Sequence, residues 1–161
     1  MTQLTTQQFN TLKAVIVAEP TLQSALNNGA DYIVQAWCNS IATPSFIVWK
    51  TLVTEKEIVT DDAFDWTRVD NLSVGKSRIW EWMFRFGSVD SSSANVRAGI
   101  NATWVGTAAD LAVRASVYTH CKRPATNAEM VLASGTGSDA VPGLLGYEGL
   151  IDLNTAGLFK L

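Results

Sequence analysis

A single histidine, His120, and only two cysteines, Cys38 and Cys121, are present among 161 residues. A zinc site needs three or four imidazole or thiolate ligands at short spacings, and these three residues do not supply one. His120 and Cys121 are adjacent in sequence. Neighbouring helical residues point about 100° apart, so the two do not face each other as a thiol–imidazole pair. A Cys38–His120 contact in the fold is the remaining route to a cysteine nucleophile. Both cysteines sit among apolar residues, and buried free thiols are the expectation. No run approaches the eighteen or so apolar residues of a membrane span, so no membrane partner is expected. The start, MTQLTTQQFN, lacks the basic and apolar stretches of a signal peptide, and the expected site of synthesis is a cytoplasm. Nothing repeats internally.

Three near-motifs also fall short of chemistry. Val74-Gly75-Lys76-Ser77 carries the ending of a phosphate-binding loop, but that loop needs a glycine where Asp70 stands, and a preceding strand. Asp61, Asp62 and Asp65 are close enough in sequence to hold a divalent cation, yet they lack the EF-hand pattern and read as a solvated acidic loop. Gly135-Thr136-Gly137-Ser138 has the look of a phosphate loop, but its surroundings read as flexible linker. No cofactor, no metal and no enzymatic activity are therefore expected.

What is present is a core. The hydrophobic share is 47% against 17% charged residues, which describes a folded chain long enough to enclose an interior. Six tryptophans are many for this length, and each indole N–H wants a partner, which favours protein interfaces. The net charge of −3 argues against general nucleic-acid binding, so contact with DNA is expected to be non-specific at most. The charges fall in blocks. Glu55 to Asp65 holds five acids and one lysine, whereas Arg68 to Arg97 holds five bases and three acids. Such blocks read either as solvated faces or as complementary patches that dock neighbouring subunits.

Helix signals recur along most of the chain. Thr5 with Gln8 forms a capping box ahead of Phe9, Leu12, Val15 and Ile16. Pro20 stops that helix and starts a short one ending at Asn28-Gly29, and Asp31 to Cys38 follows with Ile33, Val34, Trp37 and Cys38 inward. Phe46 to Trp49 reads as a strand or a helical turn. Thr54 with Glu57 caps another short helix. Asn71 or Ser73 caps a long helix with Ile79, Trp80, Met83 and Phe84 on one face, Trp82 and Phe86 widening it, and a Glu81–Arg85 pair on the wetter side. Asn95 to Val105 reads as helix or extended, broken by Gly99. Thr107 with Asp110 opens a helix to Arg123 that is apolar nearly all round, as a central core helix would be. Thr126 with Glu129 caps a last short helix. The fold class expected is mainly α, a small helical bundle over residues 1–133. Residues 134–161 read as an extended Gly-rich C-terminal arm, with a strand or hairpin near 144–153.

Phe64 to Asn71 places aromatics between charges of both signs. It reads as a capped junction with a surface ion pair, or as a subunit contact with Trp66 as anchor and Arg68 gripping an acid. The candidate interface residues are Asp65, Trp66, Arg68, Asp70, Arg78, Trp82, Arg97 and Tyr147.

The run from Phe64 to Phe84, FDWTRVDNLSVGKSRIWEWMF, together with Asn95 to Ala115, Tyr118 to Arg123 and Gly135 to Asp139, resembles a family of small proteins encoded among the virion genes of tailed bacteriophages. The likeness covers roughly residues 45–140. It implies a head–tail connector adaptor, or head-completion protein: a non-enzymatic structural protein of the virion neck. Such a protein forms a homo-oligomer, a twelve-fold ring, between the portal protein and tail or nozzle proteins. The alternatives are a capsid decoration or tail-associated protein, and a helical DNA-binding regulatory domain. For the last, Lys76, Arg78 and Arg85 are too few and are interrupted by Glu81.

Overall fold

The computed structural model describes residues 4–152. Over these the chain is mainly α, about half helix, with two small two-stranded sheets. The helices are α1 (Thr6–Ala18), α2 (Gln23–Asn27), α3 (Asp31–Asn39), α4 (Glu55–Val59), α5 (Val74–Phe84), α6 (Ala94–Thr103), α7 (Ala108–His120) and α8 (Asn127–Leu132). The strands are β1 (Ile47–Trp49), β2 (Val53–Thr54), β3 (Ser88–Val89) and β4 (Lys122–Pro124).

Local chemistry accounts for the helix starts. All four capping boxes form, at Thr5/Gln8, Thr54/Glu57, Thr107/Asp110 and Thr126/Glu129, each pairing a hydroxyl with a backbone N–H three residues on and a returning carboxylate or amide. Ser73, not Asn71, caps α5; the Asn71 amide donates instead to the Thr67 carbonyl at 2.7 Å. Gly29 and Gly87 end their helices at φ +63° and +86°, the left-handed region that favours glycine.

The chain divides into two units, one holding the residues up to Val48 and from Pro124 onward, the other Trp49–Arg123. Each has its own core. The first packs Leu12 and Ile16 of α1 with Leu22, Ala25, Val34, Cys38, Ala128, Tyr147 and Ile151. In this unit α8 lies against both α1 and α3. Its buried Asn127 donates from Nδ2 to the Trp37 carbonyl and the Ser40 hydroxyl, both at 3.0 Å, and accepts from the Thr43 N–H at 3.1 Å.

The Gly-rich stretch belongs to this first unit as well, so the composition break at residue 134 is not where the units divide. Within residues 134–152 there is no helix or named strand, only isolated bridges of Ser134 with Leu144 and of Gly143 with Val48. Gly137 and Gly143 close around the Phe46 ring. A Cβ built on Gly143 would lie 2.5 Å from the ring, and one built on Gly137 would clash with it more closely still. Further on, Tyr147 and Ile151 are buried, and the Asn39 side chain binds Ile151 twice, at 2.8 and 3.0 Å. What reads as linker up to Asp152 is packed structure: Gly137 and Gly143 face the Phe46 ring, and Gly146 meets the Leu132 carbonyl. The expected extension to 161 lies partly outside the described residues.

The second unit is built on aromatics. Trp80 lies 5.4 Å from Trp104 and 4.8 Å from Phe84, and Phe64 stands edge-on to Trp104 at 5.9 Å. Around them pack Val53, Ile58, Val89, Ile100, Val113, Val117 and Cys121. Strands β2 and β3 pair antiparallel, Val53 opposite Val89. Helix α4 rests on α7, and α5 runs beside α6.

Three expectations need correction here. Helix α7 is not enclosed on all sides: Val113, Ser116 and Val117 face inward, whereas Leu111, Ala112 and Ala115 are exposed, because alanine is a helix former as much as a core residue. Lys122-Arg123 do not close that helix but lie in β4, and His120 is the base in its last turn. Gly99 does not break α6; it lies inside the helix, with the Met83 side chain of α5 packed over it.

Candidate interaction surface

Helix α5 divides its aromatics between two sides. Trp80 and Phe84, four apart, point inward, and the Trp80 indole N–H donates to Glu55 Oε1 at 3.1 Å. Trp82 lies about 200° further round from Trp80 and is 68% exposed; Phe86, just past the helix, is 91% exposed. The Arg85 guanidinium sits 5.5 Å from the centre of the Trp82 ring, a cation–π contact. The expected Glu81–Arg85 ion pair is not formed among the described residues.

Beside this face lies α6. A Cβ on Gly99 would sit 2.6 Å from Met83 Sδ, so the Met83 side chain lies in the space a side chain at 99 would take. A groove of about 560 Å³ is lined by Ile79, Trp82 and Met83 of α5 and by Val96, Ala98, Gly99 and Ala102 of α6, with Arg78 and Asn95 as its polar members. Of the sequence candidates, Arg78 and Trp82 are therefore brought together. The α6 side was missed, although Gly99 with Ala98 and Ala102, small residues on one helix, was the signal for a close helix contact.

The other candidates have different surroundings. Asp65 Oδ1 accepts from the Thr67 N–H at 3.0 Å and the Thr67 hydroxyl at 2.7 Å, capping a short 3-10 turn, Trp66–Arg68. Trp66 is 58% exposed and leans edge-on against Phe64 at 5.3 Å. Arg68 does grip an acid, within its own unit: Nε and Nη2 both donate to Asp110 Oδ1, at 3.0 and 2.8 Å. Asp110 Oδ2 meanwhile accepts from the Thr107 N–H at 3.0 Å. The Thr107 N–H first, then Arg68, hold the Asp110 carboxyl at about 2. Asp70 is exposed. Arg97 donates to the carbonyls of Ser91 and Ser92 at 2.8 and 2.6 Å and stacks on Trp49 at 4.8 Å. Tyr147 is buried in the first unit, its hydroxyl donating to the Leu150 carbonyl at 2.9 Å, so this ring is core and not surface.

No protein-family model, curated protein or solved structure matches the chain. Its own geometry must carry the functional reading.

The reactive groups are quiet. Burial pushes the Cys38 thiol up to about 12 and the Cys121 thiol up to about 11, away from the thiolate a nucleophile needs. His120 Nε2 lies 2.8 Å from Asp61 Oδ2, and Asp61 is held below the usual carboxylate range by the Ala63 N–H and then by His120. Among the described residues no three His, Cys, Asp or Glu side chains cluster as metal ligands. No described helix is long and apolar enough to cross a membrane. Of the bases on α5, Lys76 donates to the Val105 carbonyl at 2.8 Å. What the α5–α6 face offers is apolar contact: a groove, two exposed aromatic rings and a sparse rim of charge.

Proposed function

We propose that this chain is a structural virion protein of a tailed bacteriophage, a ring-forming adaptor at the head–tail junction that links portal to tail. The observation that carries the reading is the exposure of Trp82 and Phe86 beside an apolar groove. Tryptophan and its aromatic relatives are the residues that dominate buried interfaces, where they fill pockets on the partner. Leaving two such rings in water costs hydrophobic free energy that contact with another subunit recovers. The resemblance of residues 64–84 and 95–123 to phage virion proteins supplies the context, and the α5–α6 face lies within those residues.

Cryo-electron microscopy of the virion neck tests this. The expected result is a ring of density between portal and tail into which the chain fits. Density distributed over the capsid or the tail surface would replace the adaptor with a decoration or tail-associated role. Absence from the particle would overturn the reading altogether.

A further inference from the structure

Three properties of the α5–α6 groove constrain what it can hold. It holds about 560 Å³ along the junction of the two helices, room for the side chains of one extended segment. Seven of its nine lining residues are apolar or glycine, and the exceptions, Arg78 and Asn95, can donate to backbone carbonyls of such a peptide. Beside it on α5, Glu81 is exposed and has no hydrogen bond or ion pair among the described residues. The occupant these features ask for is a short, slim, mostly apolar segment with one positive charge.

The chain contains such a segment. Residues 153–161 read Leu-Asn-Thr-Ala-Gly-Leu-Phe-Lys-Leu: four large apolar side chains, small residues between them, and Lys160 as the one charge. The segment starts one residue, Asp152, after Ile151, which the first unit anchors by the paired Asn39 bonds. Nine extended residues span about 30 Å. The eleven residues of α5 rise only about 16 Å, so the segment is long enough to cover the groove from end to end.

We propose that the α5–α6 groove docks residues 153–161 of a second copy of this chain, with Phe159 in the groove beside Trp82 and Lys160, on the opposite face of the extended segment, against Glu81. The inference rests on the assembly reading above and names the partner of that surface. Groove and segment are different surfaces carried by every copy, so the contact is heterologous and joins copies head to tail, as a ring or filament requires. The seven apolar lining residues supply the affinity, and the Lys160–Glu81 pair sets the register.

The test uses the full chain carrying Leu158→Ser and Phe159→Ser, which keeps the groove and disables its own segment. A fluorescein-labelled peptide of residues 153–161, amidated at its end, is titrated in and followed by anisotropy. Saturable binding below about 1 mM is expected. Adding Ala102→Arg, a change at an exposed helical position that fills the groove, should weaken it at least about ten-fold. Glu81→Lys should weaken it about three-fold, and a Lys160→Glu peptide should restore it. No saturation, or saturation indifferent to both groove variants, overturns the docking. Sedimentation then tests the second copy: the full-length Ala102→Arg chain and the Leu158→Ser, Phe159→Ser chain should each be monomeric alone and form dimers when mixed. Only monomers in the mixture overturns the exchange between copies. A chain found in the virion neck whose groove ignores the peptide would sink this inference and leave the adaptor reading standing; binding by a chain absent from the particle would do the reverse.

Discussion

Gly143→Ala asks whether the Gly-rich stretch is linker or packed structure. In a flexible linker the substitution is neutral or slightly stabilising, since alanine reduces the freedom of the unfolded chain. Here the added methyl would lie 2.5 Å from the Phe46 ring and 3.1 Å from the Ser134 carbonyl oxygen, well inside van der Waals contact. The Ser134 carbonyl is itself tied to the Leu144 N–H at 2.9 Å, so the backbone on that side resists moving. The ring must shift, and overpacking of this kind costs about 1–3 kcal/mol. Gly137→Ala carries the same clash with Phe46 and adds a left-handed backbone, φ +65°, which costs about 1–2 kcal/mol more. Urea unfolding followed by far-ultraviolet circular dichroism reads both changes. A Phe46→Ala background separates them, because removing the ring relieves the clash and leaves the backbone strain. Gly143→Ala should then lose most of its cost, keeping only the part set by the 3.1 Å approach to the Ser134 carbonyl, whereas Gly137→Ala should keep about 1–2 kcal/mol of its cost. A loss below about 0.5 kcal/mol for Gly143→Ala in the wild-type background, or an equal loss without Phe46, would refute the cradle.

Deleting residues 135–161 removes Tyr147 and Ile151 from the first core, together with the Gly146 carbonyl that accepts from the Gln8 amide at 2.6 Å. Composition alone would have such a truncation leave the body folded; the structure has α1 and α8 losing hydrogen-exchange protection, and full protection there would contradict it. Acid should weaken the second unit. Lys50 Nζ, 2.7 Å from Glu57, holds that carboxyl at about 2, and Asp110 is held at about 2 by Thr107 and Arg68. Both folded values are depressed, so their stabilisation is complete above about pH 5 and is lost as pH falls from the ordinary carboxylate range toward 2. Glu57→Gln with Asp110→Asn should flatten the urea midpoint against pH in that window, and an unchanged slope would count against the ion pairs. Cys38 and Cys121 should resist Ellman's reagent at pH 8 in the native protein and react fully in urea; rapid native labelling of either would place it outside the core.

What the sequence determined by itself was local. A hydroxyl and a carboxylate or amide three residues apart can satisfy two orphan N–H groups without help from elsewhere, so the capping boxes at Thr5, Thr54, Thr107 and Thr126 are legible as written. Helical spacing likewise placed Trp80 and Phe84 inward and left Trp82 to the side. Long-range pairing decided the rest. Arg68 found Asp110, 42 residues on, and so became a brace for α7 within one unit. Gly99 reads as a helix breaker until α5 is brought against it, when the missing Cβ leaves room for the Met83 thioether. The glycines after Ser134 carry a composition shared by linkers and by tight packing, and only the arrival of Phe46 from 91 positions before Gly137 distinguishes the two. Glycine states what a backbone is free to do; which neighbour exploits that freedom is a tertiary fact.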